Sequence, residues 1–329
     1  GCINYVNELN FVDDPLRLLR VYRFQAMYGF ELAPETISAV CRYSDLIHKP
    51  AAERINYELM KLFNGEFAHV ALENMNKTWI LEEIFPIVKE LKQVPPNSHH
   101  HLDLFHHSIE TVKQVQNLYN ASSDEVKEHL NKIEFGGFSR LAHLKLAAFL
   151  HDIGKFSTWT IDEDGRHRFI KHDDVGSKMA KEFLTKTKFS KKQIAYLCDM
   201  IKYHIYPSGV ASAPDLNEKV MMRFLRKMED NSIDIITLAK ADRLSARGEA
   251  ITNEIVENNI LLLDKLQNFY LAKRDAVVVE RLLDGNEIMQ ILNIKPGPQL
   301  GEIIKKLYDA QLNGEVITKE EALDFVNNL

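Results

Sequence analysis

Between residues 101 and 248, apolar residues return at three-to-four spacing in segment after segment, and this periodicity confines the chain to packed helices. The segments are 101–120, 141–154, 173–187, 191–205, 216–228 and 233–248, and they are expected to form one six-helix bundle. Upstream, helix punctuation carries the same message. Asp13-Asp14-Pro15 reads as a cap and a first helical turn ahead of residues 16–30, with Gly29 as the stop. Pro34 opens a second helix, Gly65 closes a third over 51–65, and Pro86 ends a fourth over 69–85. The only segment read as strand is Ile3 to Val6, with no strand partner in view. The expected fold class is therefore all-α.

With 329 residues, two or three modest domains are expected. Pro95-Pro96-Asn97-Ser98 forbids helix and marks the clearest boundary. The division that follows is a strand with a multi-helical neck and body over 1–96, a helical bundle over 97–272, and a small helical tail over 273–329. In the tail, Thr318 and Glu321 form a capping box for the last helix. Hydrophobic residues make up 45% and charged residues 27%, so the chain is a water-soluble globular protein by composition, with no apolar run long enough to span a membrane. The net charge of −6 gives no general attraction to nucleic acid, leaving any such contact to local runs such as Lys178 to Lys192 or Arg223 to Lys227. Three dispersed cysteines, Cys2, Cys41 and Cys198, suggest neither a disulfide framework nor a zinc knuckle, which suits a reducing cytoplasm.

Polar residues interrupt the apolar faces where a core should be dry. His151-Asp152 ends the apolar run 144–150 just before Gly154, so a carboxylate meets the negative end of a helix dipole. That is unfavourable by roughly a few tenths of a kcal/mol unless a cation, metal or lysine, lies near. Asp242 continues the stripe of Ile235, Leu238 and Ala239. His204 follows Ile194, Leu197 and Ile201, and His172 leads Val175, Met179 and Phe183. Each alone is satisfied by a buried hydrogen bond; together, on four helices, they point to a metal site. Imidazole and carboxylate without thiolate suit Mg, Mn, Fe, Co, Ni or Zn and single out none.

The order His107, then His151-Asp152-Ile153-Gly154-Lys155, then Asp242 within Ala241-Asp242-Arg243 resembles the HD superfamily of metal-dependent phosphohydrolases. Of His106 and His107, periodicity chooses neither. The resemblance selects His107, which precedes Ser108, and implies His107, His151, Asp152 and Asp242 as metal ligands. It also offers His172 and His204 for a second metal or a phosphate, and Lys155 as a group steadying a phosphate oxygen. His106 is expected to be solvated, and His99, His100 and His101 to form an exposed run after the prolines.

Residues 10–24, continuing through Gly29-Phe30-Glu31-Leu32, Ala52-Glu53-Arg54-Ile55 and the tail from Lys295, resemble class II tRNA nucleotidyltransferases and their poly(A) polymerase relatives. This resemblance implies that Asp13, Asp14 and Arg17 read the base edge of CTP or ATP, and that body and tail bind tRNA. It also implies a preceding head with two carboxylates for two metal ions. No such pair stands upstream of Asp13, and Asp162-Glu163-Asp164-Gly165 reads as a hairpin turn, so nucleotide addition is not expected from this chain alone. The leading expectation is part of a tRNA nucleotidyltransferase carrying a phosphatase or 2',3'-cyclic phosphodiesterase site. The alternatives are a non-enzymatic tRNA-binding module and a free-standing HD nucleotide phosphohydrolase. Oligomeric state is not legible.

Overall fold

The structure, a computed structural model, describes residues 1–213, 216–274, 281–312 and 314–329. It is all-α. The strands among the described residues are three pairings of two or three residues: Cys2–Ile3 with Glu31–Leu32, Ile133–Phe135 with Phe138–Ser139, and Trp159–Ile161 with His167–Phe169. The first corrects an expectation. The opening strand is confined to Cys2–Ile3 and does have a partner, in parallel register, because the chain returns beside it after Gly29 takes a left-handed φ of 66°. The last is the hairpin expected around Asp162, whose backbone carbonyl accepts from Gly165 N–H and whose carboxylate accepts from Arg166 N–H.

The helices Leu16–Tyr28, Pro34–Tyr43 and Ala52–Asn64 stand where the punctuation placed them. Two details differ. Asp14 does not cap Leu16–Tyr28 through its side chain; its carboxylate lies 3.3 Å from Arg54 Nη2. The expected single helix over 69–85 is two, Ala68–Lys77 and Ile80–Ile84. Buried Thr78 donates back to the Asn74 and Met75 carbonyls and meets the Tyr22 hydroxyl at 2.5 Å, and Trp79 then turns left-handed at φ 60°. A hydroxyl bonding back to its own turn, followed by a left-handed residue, ends a helix.

Two compact units result: Gly1–Ser208 with Ile233–Leu263, and Gly209–Ser232 with Asp264–Leu329. The boundaries thus fall differently from the three-part reading. Residues on both sides of Pro95-Pro96 share the first unit, and the helix Glu218–Met228, expected in the six-helix bundle, belongs to the second. An amphipathic stripe says that a face is buried, not against which neighbour. In the second unit Leu283, Ile288, Ile303, Leu307, Val316 and Val326 form a core, and capping boxes at Asp284 with Glu287 and at Thr318 with Glu321 start two of its helices. No helix of the described residues is long and apolar enough to cross a membrane.

The first unit is built around the helix Arg140–Leu150, every residue of which is buried. Ser139 caps it by accepting from Ala142 N–H. Leu144, Leu146, Phe149 and Leu150 each stabilise the unit by about 1.5–3 kcal/mol on burial. A helix buried on all sides sits at the centre, and its polar members Arg140, His143 and Lys145 each find a partner there. Its C-terminal end, at His151, therefore lies deep in the protein.

Candidate metal centre

Three histidines reach the site by one local device. His151 follows the helix Arg140–Leu150, His204 follows Lys191–Tyr203, and His172 begins His172–Lys186. Each ring places Nδ1 against the carbonyl three residues earlier: His151 on Ala148 at 2.7 Å, His204 on Ile201 at 2.7 Å, His172 on Phe169 at 2.8 Å. A carbonyl only accepts, so each Nδ1 carries the proton and each neutral ring presents a bare Nε2 lone pair. At the two helix C-termini the bond also satisfies a carbonyl that has no partner within the helix. His107 arrives from the first turns of Leu104–Ala121, capped by Asp103, and Asp242 from Ser232–Ser245.

These residues meet. His107 Nε2 lies 3.3 Å from His151 Nε2, 3.5 Å from Asp152 Oδ2 and 3.1 Å from Asp242 Oδ1. His151 Nε2 lies 3.1 Å from Asp152 Oδ2 and 3.7 Å from Asp242 Oδ1. Ligands about 2.1 Å from one ion stand about 3.0–3.4 Å apart in octahedral or tetrahedral arrangement, so the spacing is that of a coordination sphere. On the other side of Asp152, Oδ1 lies 3.3 Å from His172 Nε2 and 3.5 Å from His204 Nε2, and those nitrogens are 3.2 Å apart. Asp152 thus belongs to both groups. His107, His151, Asp152 and His204 are almost fully buried, whereas the Asp242 side chain is 26% exposed, so the site opens toward Asp242.

The donor chemistry fits a divalent cation. Both Asp152 oxygens are buried, yet neither has a partner in hydrogen-bonding geometry, and nitrogens bearing lone pairs face one another. Burial disfavours a charged His151, but the Asp152 and Asp242 carboxylates outweigh it and push the imidazole up to about 10. Burial likewise opposes ionised Asp152, and His151 and Lys155 still hold that carboxyl well below the usual range. Positive charge is therefore required at the centre. A divalent ion would supply it, with the second-group nitrogens oriented in advance.

Backbone packing sets the remaining geometry. A Cβ on Gly154 would meet the His172 carbonyl oxygen at 2.1 Å and Gly176 N at 2.6 Å. Only this glycine lets the turn after Asp152 lie against the start of His172–Lys186 and bring His172 to Oδ1. Lys171, left-handed at φ 61°, turns the hairpin into that helix. Lys155 folds back to put Nζ 2.6 Å from Asp152 Oδ2.

The sequence missed His100. It is not part of an exposed run: its ring packs edge-on against His107 at 4.6 Å between centroids, and its Nε2 is 3.4 Å from Lys155 Nζ. Burial and the Lys155 ammonium push its imidazole down to about 2. The available signal was Asn97 after two prolines, whose side-chain oxygen accepts from the His99 and His100 N–H groups and closes a turn. His106, expected to be solvated, is partly exposed and bound to its helix cap, Nδ1 to Asp103 Oδ2 at 2.7 Å. A second polar cluster also went unread. Buried Asp234 accepts from Arg140, from Tyr196 at 2.7 Å and from His129 at 2.6 Å.

The expected nucleotide residues lie apart from this chemistry. Arg17 is exposed and lines a cleft of about 300 Å³ with Asn4, Asn7, Arg20 and Phe24. Asp13 is exposed, Asp14 is engaged by Arg54, and neither lines the cleft.

Comparison with known proteins follows this division. Residues 29–92 match a family described as "Probable RNA and SrmB- binding site of polymerase A", and residues 104–247 match the HD domain family. An A-adding tRNA nucleotidyltransferase of Deinococcus radiodurans is 30% identical over 98% of this chain and 70% of its own length. A CC-adding tRNA nucleotidyltransferase of Thermus thermophilus is 29% identical, over 98% of this chain and 68% of its own. The helical chain with its HD-type centre belongs to the tRNA nucleotidyltransferase family. A solved CCA-adding enzyme in complex with CTP shares the fold at a TM-score of 0.51 and 18% identity, over 99% of this chain. The chain spans 62% of the length of that solved relative.

Proposed function

We propose that this chain hydrolyses phosphate esters at a divalent-metal centre held by His107, His151, Asp152 and Asp242, as an accessory activity in tRNA 3'-end maturation. The substrate class is a phosphate monoester or a 2',3'-cyclic phosphate. The observation that carries the reading is the convergence of four ligand atoms, all within 4.8 Å of one another, with neither buried oxygen of Asp152 having a partner in hydrogen-bonding geometry. A bound divalent ion supplies Lewis acidity and brings the pKa of water toward neutrality. Lys155 donates to a phosphoryl oxygen, and Asp152 keeps that ammonium close. His172 and His204, with Asp152 Oδ1, hold a second ion or orient the phosphate. Asp242, the exposed member, faces the side from which the ester enters.

In the same reading the neck takes part in nucleotide recognition, Arg17 donating to the base edge of CTP or ATP, with Asp13 and Asp14, which stand outside the Arg17 cleft, as the acidic partners. The macromolecular partner is tRNA, in keeping with the names of the relatives above.

The test compares wild type with Asp152→Ala for bound divalent metal and for metal-stimulated turnover of a monoester and a 2',3'-cyclic nucleotide. Equal turnover in the two proteins refutes the hydrolytic reading. Binding to tRNA that weakens with salt supports the partner, and no binding at low salt removes it.

A further inference from the structure

We propose that His100 is a positioning residue for this centre: its Nε2 accepts a hydrogen bond from Lys155 and so holds the ammonium where it meets an oxygen of a bound phosphate. The inference rests on the phosphoester reading and deepens it by assigning the residue that fixes the anion-binding lysine. An ammonium has donors only, so the Nε2 at 3.4 Å from Lys155 Nζ is the acceptor and the His100 proton resides on Nδ1. Lys155 pairs by charge with Asp152 at 2.6 Å and donates to His100, and an ammonium with three N–H groups keeps donor capacity for a ligand.

Restraint of this kind has a purpose. A lysine side chain has about 2 kcal/mol of rotamer entropy, and a free one turns its ammonium out to water. Against Asp152 alone, whose oxygens also face four imidazoles, Lys155 would have one anchor, on a carboxylate that the centre itself uses. His100 adds an anchor that competes for no ligand atom of the centre, because its Nε2 faces Lys155 and only its ring touches His107.

The segment bearing His100 is built to hold it. Asn97 and His100 exchange backbone hydrogen bonds at 2.9 and 3.1 Å. The chain after Asp242 then clasps the turn: Gly248 N–H donates to the His99 carbonyl at 3.0 Å and Ala250 N–H to Ser98 at 2.8 Å. A Cβ on Gly248 would meet the Ser98 carbonyl oxygen at 2.4 Å, so the approach needs glycine. The chain just beyond the Asp242 helix thereby also fixes the turn that bears His100.

The experiment has two arms, using the whole chain as wild type, His100→Ala, His100→Gln, Lys155→Ala and the His100→Ala/Lys155→Ala double variant. In the first arm, inorganic phosphate is titrated into manganese-loaded protein by calorimetry. His100→Ala should weaken phosphate binding about tenfold, the scale of one charge-assisted hydrogen bond, with manganese stoichiometry unchanged. His100→Gln, whose amide oxygen accepts, should recover most of the loss, and the double variant should bind no worse than Lys155→Ala alone. Additive losses in the double variant, or loss of manganese in His100→Ala, overturn the assignment. In the second arm, metal-free protein is treated with an amine-labelling reagent and Lys155 followed by mass spectrometry. Labelling should accelerate severalfold in His100→Ala and return toward wild type in His100→Gln; an unchanged rate overturns the proposal. If wild type cleaves no phosphoester while both arms behave as expected, the hydrolytic reading fails and the role of His100 stands.

Discussion

Replacing Asp152 by asparagine keeps the volume of the side chain and removes one charge at the point where both metal-ligand groups meet. In wild type the carboxylate lies 2.6 Å from the Lys155 ammonium, and both side chains are at least nine-tenths buried. Removing one partner of a buried pair leaves an uncompensated charge and costs about 3–5 kcal/mol. Metal-free Asp152→Asn should therefore lose about 3 kcal/mol in urea denaturation, and adding Lys155→Met should restore a large part of it. Manganese at a hundred times its dissociation constant should stabilise wild type by about 2.7 kcal/mol. Loss of a ligand shared by both groups should cost more than the ten- to hundredfold in affinity typical of outer partners, so Asp152→Asn should gain almost nothing from the same manganese. The assay is one pair of urea curves, with chelator and with manganese, for three proteins. Equal manganese stabilisation of wild type and Asp152→Asn would refute the argument that this carboxylate is the hub of the centre.

Three further outcomes follow from other residues. Gly154→Ala places a methyl group 2.1 Å from the His172 carbonyl oxygen, so the variant should lose about 1–3 kcal/mol in thermal or chemical denaturation and bind manganese more weakly. Burial resists ionisation of Asp234, but His129 and Arg140 overcome it and hold its carboxyl at about 2, below the usual 3.8. Its contribution is present above the unfolded pKa and lost as pH falls, so the stability gap between wild type and Asp234→Asn should narrow between pH 4 and 2. Buried Lys145, whose Nζ donates to the Gly65 carbonyl at 2.8 Å, is pushed by burial from 10.5 down to about 7. The unfolded chain then binds the extra proton between these values, so wild type should gain stability relative to Lys145→Met as pH rises from 7 to 10.5, measured by denaturation.

Local rules made much of the fold legible. Capping boxes, an opening proline and closing glycines are encoded within a few residues of the turns they create, so helices such as Ala52–Asn64 and Lys319–Asn327 stand where the sequence puts them. The inward placement of Asp242, His172 and His204 could be read from a stripe because a polar residue on an apolar face has few places to go. Other features depend on distant partners. The break at Thr78 depends on the Tyr22 hydroxyl, fifty-six residues away. The placing of half-buried His100 follows a clasp of Gly248 and Ala250 on His99 and Ser98, which no window around residue 100 contains. Gly154 gave a visible helix stop, but its second use, admitting the His172 backbone, appears only when two helices are placed together.

The tautomer arrangement ties the fold to the chemistry more closely than the ligand set does. Four histidines could gather around two aspartates by hydrogen bonding alone, with protons on the inward nitrogens donated to carboxylate oxygens. Here His151, His172 and His204 each commit the outward nitrogen to a carbonyl three residues back, and the carboxylate between them finds no donor in hydrogen-bonding geometry. Neutral rings in that state leave Nε2 bare against Nε2, which is repulsive unless a cation or an added proton lies between them. Burial penalises the protonated form at His204 and lowers its imidazole, so the second group is the less able to use a proton. The carbonyls that fix these rings are mostly at helix ends that would need a partner in any case. The helical architecture thus orients the donors of the centre at little cost.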